Sequence, residues 1–153
     1  MSELADFGPG TRFKRVYGEQ FAEVESLVAD AAMRKVVFCS GKLFYELLNK
    51  RREGAVKDVA IVRIEQLAPF PFDVVAKTVA KYPAAEVVWA QEEPKNMGPW
   101  YYVQERIVTA TRDLNGAPKQ ATYIGRKTMA SPADGYADVH LREQNRIVEA
   151  AIN

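Results

Sequence analysis

Residues 35–62 read KVVFCSGKLFYELLNKRREGAVKDVAIV, and this stretch decides the fold. Lys35–Cys39 carries an unbroken run of β-branched and apolar side chains that Ser40-Gly41 brings to an end. Leu43, Phe44, Leu47 and Leu48 follow at helical spacing, and Lys50, Arg51, Arg52 and Glu53 close that helix before Gly54. A second apolar run occupies 59–62. Strands without polar alternation are buried on both faces, and two of them joined through a helix lie parallel.

The same unit repeats downstream. Pro69 and Pro71 break the chain before a helix with Phe72, Val75 and Val79 facing inward, and Tyr82-Pro83 ends it. A third buried run spans 87–90, followed by a loop over 91–98 and a helix over 100–112. Asn115-Gly116 turns the chain into a short strand at 121–124. A polar loop with Pro132 and Gly135 precedes a last helix carrying Leu141, Ile147, Val148 and Ala151. Upstream, residues 1–18 form an extended lead-in from a preceding domain, with a short strand near 13–17. The α/β domain then runs over 19–153, opening with a helix over 19–33 whose face carries Phe21, Val24, Leu27, Val28 and Ala31. The expected architecture is a three-layer α/β sandwich with a mainly parallel sheet.

The bulk numbers remove several classes of function. At 153 residues and 48% hydrophobic content the chain is one globular domain by length and too apolar to be disordered. A net charge of +1, with both signs interspersed, gives no electrostatic case for nucleic acid or an anionic membrane. No apolar run approaches the roughly 20 residues that span a bilayer, and residues 1–6 have neither a basic nor an apolar signal-peptide region. Cys39 is the single cysteine, so no internal disulfide is available, which fits a reducing compartment.

In an open parallel sheet, ligands bind beyond the carboxyl ends of the strands. Those ends are Ser40-Gly41-Lys42, Arg63-Ile64-Glu65-Gln66 and Gln91-Glu92-Glu93. They gather the sharpest polar cluster in the chain, suited to a small anion or to polar contact with another domain. Exposed polar residues also cap strands wherever loops meet water, and that plainer reading is the stronger prior. Ser40-Gly41-Lys42 lacks both the P-loop and the dinucleotide-fold spacing. Glu92 and Glu93 are neighbours on an extended chain and point to opposite sides, so they do not work as an acid–base pair. His140 is the sole histidine; one histidine without a second thiol or a G-x-S-x-G makes neither a zinc site nor a hydrolase triad, and it is read as a structural hydrogen bonder. Trp89 inside a strand is core, whereas Trp100, Tyr101 and Tyr102 suit a contact surface. From the residues alone the reading ends at an α/β domain with no catalytic set of its own.

Four motifs carry a resemblance further. DVAIVRIEQLAPFPFD at 58–73, VWAQEEPKNMG at 88–98, YIGRKTMASPADGYADVHLREQ at 123–144 and VVFCSGKLFYELL at 36–48 resemble, in order and spacing, the C-terminal domain of 2-oxoglutarate dehydrogenase first components. The similarity runs from about Thr11 to the last residues, and the pair RIEQL-PFPFD with QEEP-NMG separates this family from others of the transketolase-like group. Ala90 stands where relatives commonly have cysteine, a small core change.

The resemblance implies a transketolase C-terminal-like fold in an oxidoreductase of the tricarboxylic acid cycle. In the intact enzyme, thiamine diphosphate and magnesium support decarboxylation of 2-oxoglutarate, and the succinyl unit passes to the lipoyl group of the succinyltransferase component. The G-D-G that binds the diphosphate in this group is absent: the one Asp-Gly here, Asp134-Gly135, follows Ala133. This chain is therefore expected to hold no cofactor, no metal and no catalytic residue, and to be inactive alone. Its expected partners are the remaining domains of the enzyme, its dimer mate and the succinyltransferase, in the mitochondrial matrix of a eukaryote or the cytoplasm of a bacterium. Some relatives also carry a nucleotide or acetyl-CoA effector site on this domain. The candidate interface or effector cluster is Arg63, Glu65, Glu92, Glu93, Lys95 and Asn96. The alternatives are the C-terminal half of a pyruvate- or branched-chain-type beta subunit, whose third strand leads into V-E-E-G, and a free-standing small-ligand module of flavodoxin-like design.

Two expectations concern structure. An ion-pair network is predicted where Arg63, Glu65, Glu92 and Glu93 meet at one end of the sheet. The segments 67–72 and 97–102 are predicted to expose Phe70 and Trp100 as a sticky surface for the rest of the enzyme.

Overall fold

The computed structural model describes residues 4–114 and 116–153, so the Asn115 half of the expected turn lies outside the described residues. Five strands form one sheet in the order β1-β3-β2-β4-β5: β1 Val16–Tyr17, β2 Lys35–Cys39, β3 Val59–Ile64, β4 Glu86–Pro94 and β5 Thr122–Arg126. The pairs β2–β3, β2–β4 and β4–β5 are parallel, and only β1 runs antiparallel, against β3. Among the described residues four α-helices complete the domain: α1 Leu43–Glu53, α2 Phe72–Lys81, α3 Trp100–Thr111 and α4 Ala137–Ile152.

The pleat sorts the apolar runs into two cores. Val36, Phe38, Val62, Val87 and Trp89 point to one face and pack with Val75 and Val79 of α2 and Val103 and Ile107 of α3. Val37, Cys39, Ile61, Val88 and Ala90 point to the other and pack with Leu43 and Leu47 of α1 and Val148 and Ala151 of α4. Alternate residues of one apolar run thus serve opposite layers, which is why the strands lack polar alternation. The expected three-layer sandwich is the observed one.

Several local expectations fail for physical reasons. No α-helix forms over 19–33; a single 3-10 turn, Asp30–Ala32, stands there, and Ser26 has φ 51°, which a helix does not permit. Phe21 packs on one core, Leu27 and Val28 pack on the other, and Val24 is exposed. The apolar spacing mimics a helix, but tertiary contacts direct those side chains to opposite layers. Strand β4 continues through Glu92-Glu93 to Pro94, so part of the expected loop at 91–98 is strand. Phe72 and Leu141, expected inside, are 40% and 60% exposed.

The predicted sticky surface is also corrected. Phe70 and Trp100 are each only 6% exposed, both within the α2–α3 core. The flanking prolines do not hold Phe70 outward: its ring packs edge-on against Phe72, with centroids 5.1 Å apart. Trp100 begins α3 and lies against the Tyr123 ring, also at 5.1 Å. Tyr101 is the exposed aromatic of that segment.

Candidate functional site

Helix α1 follows β2 onto one face of the sheet and α3 follows β4 onto the other. The loops leaving these adjacent strands diverge, which opens a crevice at their carboxyl ends. Its walls include Ser40, Gly41, Lys42, Trp89, Gln91, Glu92 and Glu93, around about 270 Å³. Gly41 has φ 63°, a left-handed turn that a residue with a side chain enters only with strain.

An ion-pair network crosses this crevice. Lys42 Nζ donates to Glu92 Oε1 at 2.6 Å and to Glu46 Oε1 at 3.0 Å. Gln144 Nε2, from α4, donates to Glu46 Oε2 at 2.7 Å and Glu92 Oε1 at 2.8 Å. The hydrogen bond to Glu92 leads the effects that raise the Lys42 pKa above its ordinary value. Burial pushes Glu46 upward, but the hydrogen bonds from Gln144 and Lys42 outweigh it and leave a lowered pKa. These groups lock α1, β4 and α4 together.

A larger cleft of about 940 Å³ opens beside it, between the lead-in and the ends of β2 and β3. Arg12, Lys14, Lys42 and Arg63 line it, with Asp6, Glu65 and the rings of Phe7, Phe13, Tyr17 and Tyr45. Arg12 and Lys14 are two apart on extended chain, so they share a side, while Arg15 turns away to pair with Asp73 at 2.8 Å. The Arg63 guanidinium lies 4.6 Å from the Tyr17 ring centre and 4.9 Å from that of Phe44. It donates to Tyr45 Oη at 3.0 Å and pairs with Glu65 at 3.0 Å. Among the described residues Arg63 Nε is buried with no hydrogen-bond partner, its 3.0 Å contact with Glu65 being an ion pair. Hydrogen bonding to Arg63 leads the causes that lower the Tyr45 pKa.

The predicted cluster therefore divides. Arg63 and Glu92 do share one end of the sheet, but each pairs with a different partner, and Arg63 belongs to the large cleft. Glu93 lines the crevice beside Glu92. Lys95 stacks over Tyr123 at 5.6 Å, and Asn96 exchanges two hydrogen bonds with the backbone of Met129 at 2.9 and 3.1 Å. Lys95 thereby fastens the β4–α3 loop to β5 and Asn96 fastens it to the segment after β5, outside both cavities.

Gln91 is what the sequence reading underused. Its Oε1 accepts from Trp89 Nε1 at 2.9 Å and from the Trp100 amide at 3.0 Å. Its Nε2 donates to the carbonyls of Glu93, Pro94 and Met97 at 3.3, 3.1 and 2.8 Å. A glutamine at a buried strand end, ahead of a proline- and glycine-bearing loop, was the available signal. His140 takes the structural role expected of it, accepting at Nδ1 from Arg126 Nη2 at 2.8 Å.

The family described as 2-oxoglutarate dehydrogenase C-terminal matches residues 1–152. The chain belongs to that family. It is 40% identical over 148 residues to the mitochondrial 2-oxoglutarate dehydrogenase of Caenorhabditis elegans, an alignment covering 96% of this chain and 14% of that protein. It is 43% identical over 152 residues to the 2-oxoglutarate dehydrogenase E1 component of Cupriavidus necator, covering 99% and 15%. The chain thus spans about one seventh of the length of the curated relatives it matches. Among solved structures, a split-gene transketolase described as an inactive beta4 tetramer superposes with a TM-score of 0.57 at 14% identity, covering 95% of this chain and 45% of that one. That likeness establishes a transketolase-like fold.

Thiamine diphosphate and its metal would need a ligand set among the residues of this domain. Asp134, in the one Asp-Gly, is turned inward 3.3 Å from Arg126 Nε rather than toward a cleft. The described residues contain no group of three or more histidine, cysteine or carboxylate side chains able to hold a metal. Cys39 is buried, and burial drives its thiol pKa upward, against a thiolate role. Among the described residues, then, Asp134 and Cys39 are poorly placed to hold the diphosphate or its metal. No described helix is long and apolar enough to cross a membrane.

Proposed function

We propose that this domain serves assembly and anion-effector binding in a 2-oxoglutarate dehydrogenase first component whose thiamine chemistry lies in other domains. Residues 1–18 would be the lead-in from a preceding domain, lending β1 to the sheet, and 19–153 the domain proper. The intact enzyme would decarboxylate 2-oxoglutarate and hand the succinyl unit to its lipoyl-bearing partner, in the matrix or the bacterial cytoplasm according to source.

One observation carries the effector role: the large cleft presents Arg12, Lys14, Lys42 and Arg63 against Asp6 and Glu65, with aromatic walls. Cations held among rings suit a ligand that combines phosphate with an aromatic base. The interface role rests on the strand ends, where exposed Glu93 offers polar contact to a neighbouring domain beside the Lys42–Glu92 and Arg63–Glu65 pairs.

Calorimetric titration of the chain with inorganic pyrophosphate tests the cleft. Saturable binding that weakens in Arg12→Ala and Lys14→Ala is expected. Identical heats in wild type and both variants would remove the cleft from the proposal. A parallel titration with thiamine diphosphate and magnesium should give no binding heat, and micromolar binding there would contradict the assignment of the cofactor to other domains.

A further inference from the structure

Strand β3 has β2 on one side and only two residues of β1 on the other. The β1 register pairs Val16 with Ile64 and Tyr17 with Arg63, and continued by two positions it would set Glu19 opposite Ile61. The backbone leaves the sheet at Gly18, yet the Glu19 side chain keeps that appointment: Oε2 accepts from the Ile61 amide at 2.9 Å. Arg51, from α1, donates from Nη1 to the Val59 carbonyl at 2.9 Å on the same side of the strand. The two side chains are joined as a fork, with Nη1 2.6 Å from Glu19 Oε2 and Nη2 3.1 Å from Oε1. Beyond them the Val28 amide donates to the Lys57 carbonyl at 3.0 Å, and on the other flank the Glu65 amide donates to Arg15 at 3.0 Å.

The open edge is thus covered from Lys57 to Glu65, and its middle is covered by side chains. Charged groups that are 0% and 2% exposed are expensive to bury, so their placement there needs a compensating role. The edge they cover is Val-Ala-Ile-Val, an apolar run with no proline or charge, the composition that pairs readily with another strand.

We infer that the Arg51–Glu19 pair is a strand surrogate, which occupies the free edge of β3 and bars it from pairing with the β3 edge of a second copy of this chain. Arg51 keeps a second carboxylate, Glu25, at 3.0 Å from its Nε, so removing Glu19 does not strand the guanidinium without a partner. Glu25 in turn is held by Arg52, and its carbonyl accepts from Lys57 Nζ.

The test compares Glu19→Ala with Glu19→Gln, using amide hydrogen exchange and sedimentation at rising concentration. In Glu19→Ala, exchange at Ile61 is expected to rise by about tenfold or more while Phe38, in the doubly paired β2, is unchanged. The same variant should form concentration-dependent dimers. Glu19→Gln keeps the acceptor oxygen and should protect Ile61 to within about threefold of wild type, without the dimer. A folded Glu19→Ala chain that protects Ile61 as wild type does, or that does not associate, overturns the inference. Should Glu19→Ala fail to fold, the wild-type chain decides. There the Ile61 amide must exchange as slowly as that of Phe38 in the doubly paired β2, and the chain must stay monomeric as concentration rises. If Ile61 exchanges as an uncovered edge amide does, or the wild-type chain dimerises, the inference is overturned.

Discussion

The side chain of Gln91, inside β4, caps helix α3, its Oε1 standing 3.0 Å from the backbone nitrogen of Trp100. Pro99 at the N-cap supplies no side-chain oxygen, so the buried first amide of the helix, which has no partner within the helix, is satisfied from the preceding strand instead. The same amide group holds three carbonyls of the intervening loop. Gln91→Ala would strand the Trp89 indole, the Trp100 amide and buried carbonyls at once. A loss of about 3 kcal/mol is expected, because each buried polar group left unpaired costs about 1–3 kcal/mol. Urea unfolding measures it, and a change below about 0.5 kcal/mol would show that water replaces the side chain without penalty.

The Lys42–Glu92 pair across the crevice should contribute little on its own. Lys42 is 68% exposed and Glu92 27%, so solvent screens a contact that is short in distance. A double-mutant cycle with Lys42→Ala and Glu92→Ala is expected to give a coupling of about 0.5 kcal/mol, and less at high salt. A salt-independent coupling above about 2 kcal/mol would mean the pair behaves as a buried one.

Acid should weaken the domain through Glu19. Burial raises the pKa of its carboxyl, but hydrogen bonds from Arg51 and the Ile61 amide outweigh that, and the folded value lies below the ordinary one. A depressed carboxyl contributes stability above its unfolded pKa and loses it as pH falls through the folded one. Unfolding free energy should therefore fall as pH drops below about 4.3, the ordinary glutamate value. Glu19→Gln should show a shallower acid slope. Equal slopes for the two chains would assign acid sensitivity to other carboxylates.

Phe70 and Phe72 sit two residues apart on opposite sides of the burial divide, at 6% and 40% exposure. Phe70→Ala opens a cavity in the α2–α3 core and is expected to cost about 3–4 kcal/mol. Phe72→Ala removes a partly solvated ring and should cost about 1 kcal/mol. A reversed order in thermal unfolding would place Phe70 outside the core.

How much of this was legible depended on whether local pattern and tertiary demand agreed. Val36–Cys39 and residues 59–62 could be assigned to buried parallel strands because apolar side chains are needed on both faces. The helix expected over 19–33 failed where they disagreed: Glu19 and Glu25 look like ordinary surface carboxylates until Arg51 is placed between them. Arg51 itself reads as a solvated helix terminus, and nothing in its neighbours says that it turns inward. Phe70 reads as exposed because flanking prolines fix local backbone without revealing which way the whole loop turns. Within the candidate site, Arg63, Glu65 and Glu92 could be found as strand-end residues. Arg12 and Lys14 could not be, since only β1 pairing brings the lead-in against the end of β3. The four motifs that carry the family resemblance run through β2, β3, β4 and β5 and the segments that follow them.

We propose that this chain is one part of an enzyme acting on 2-oxoglutarate. Immunodepletion tests it most directly: an antibody raised against the chain is used to clear a native extract, and 2-oxoglutarate-dependent ferricyanide reduction is assayed in pellet and supernatant. The account predicts that the activity leaves the supernatant with the antigen, while the purified chain alone shows none. Full activity remaining in a supernatant cleared of the antigen would contradict it.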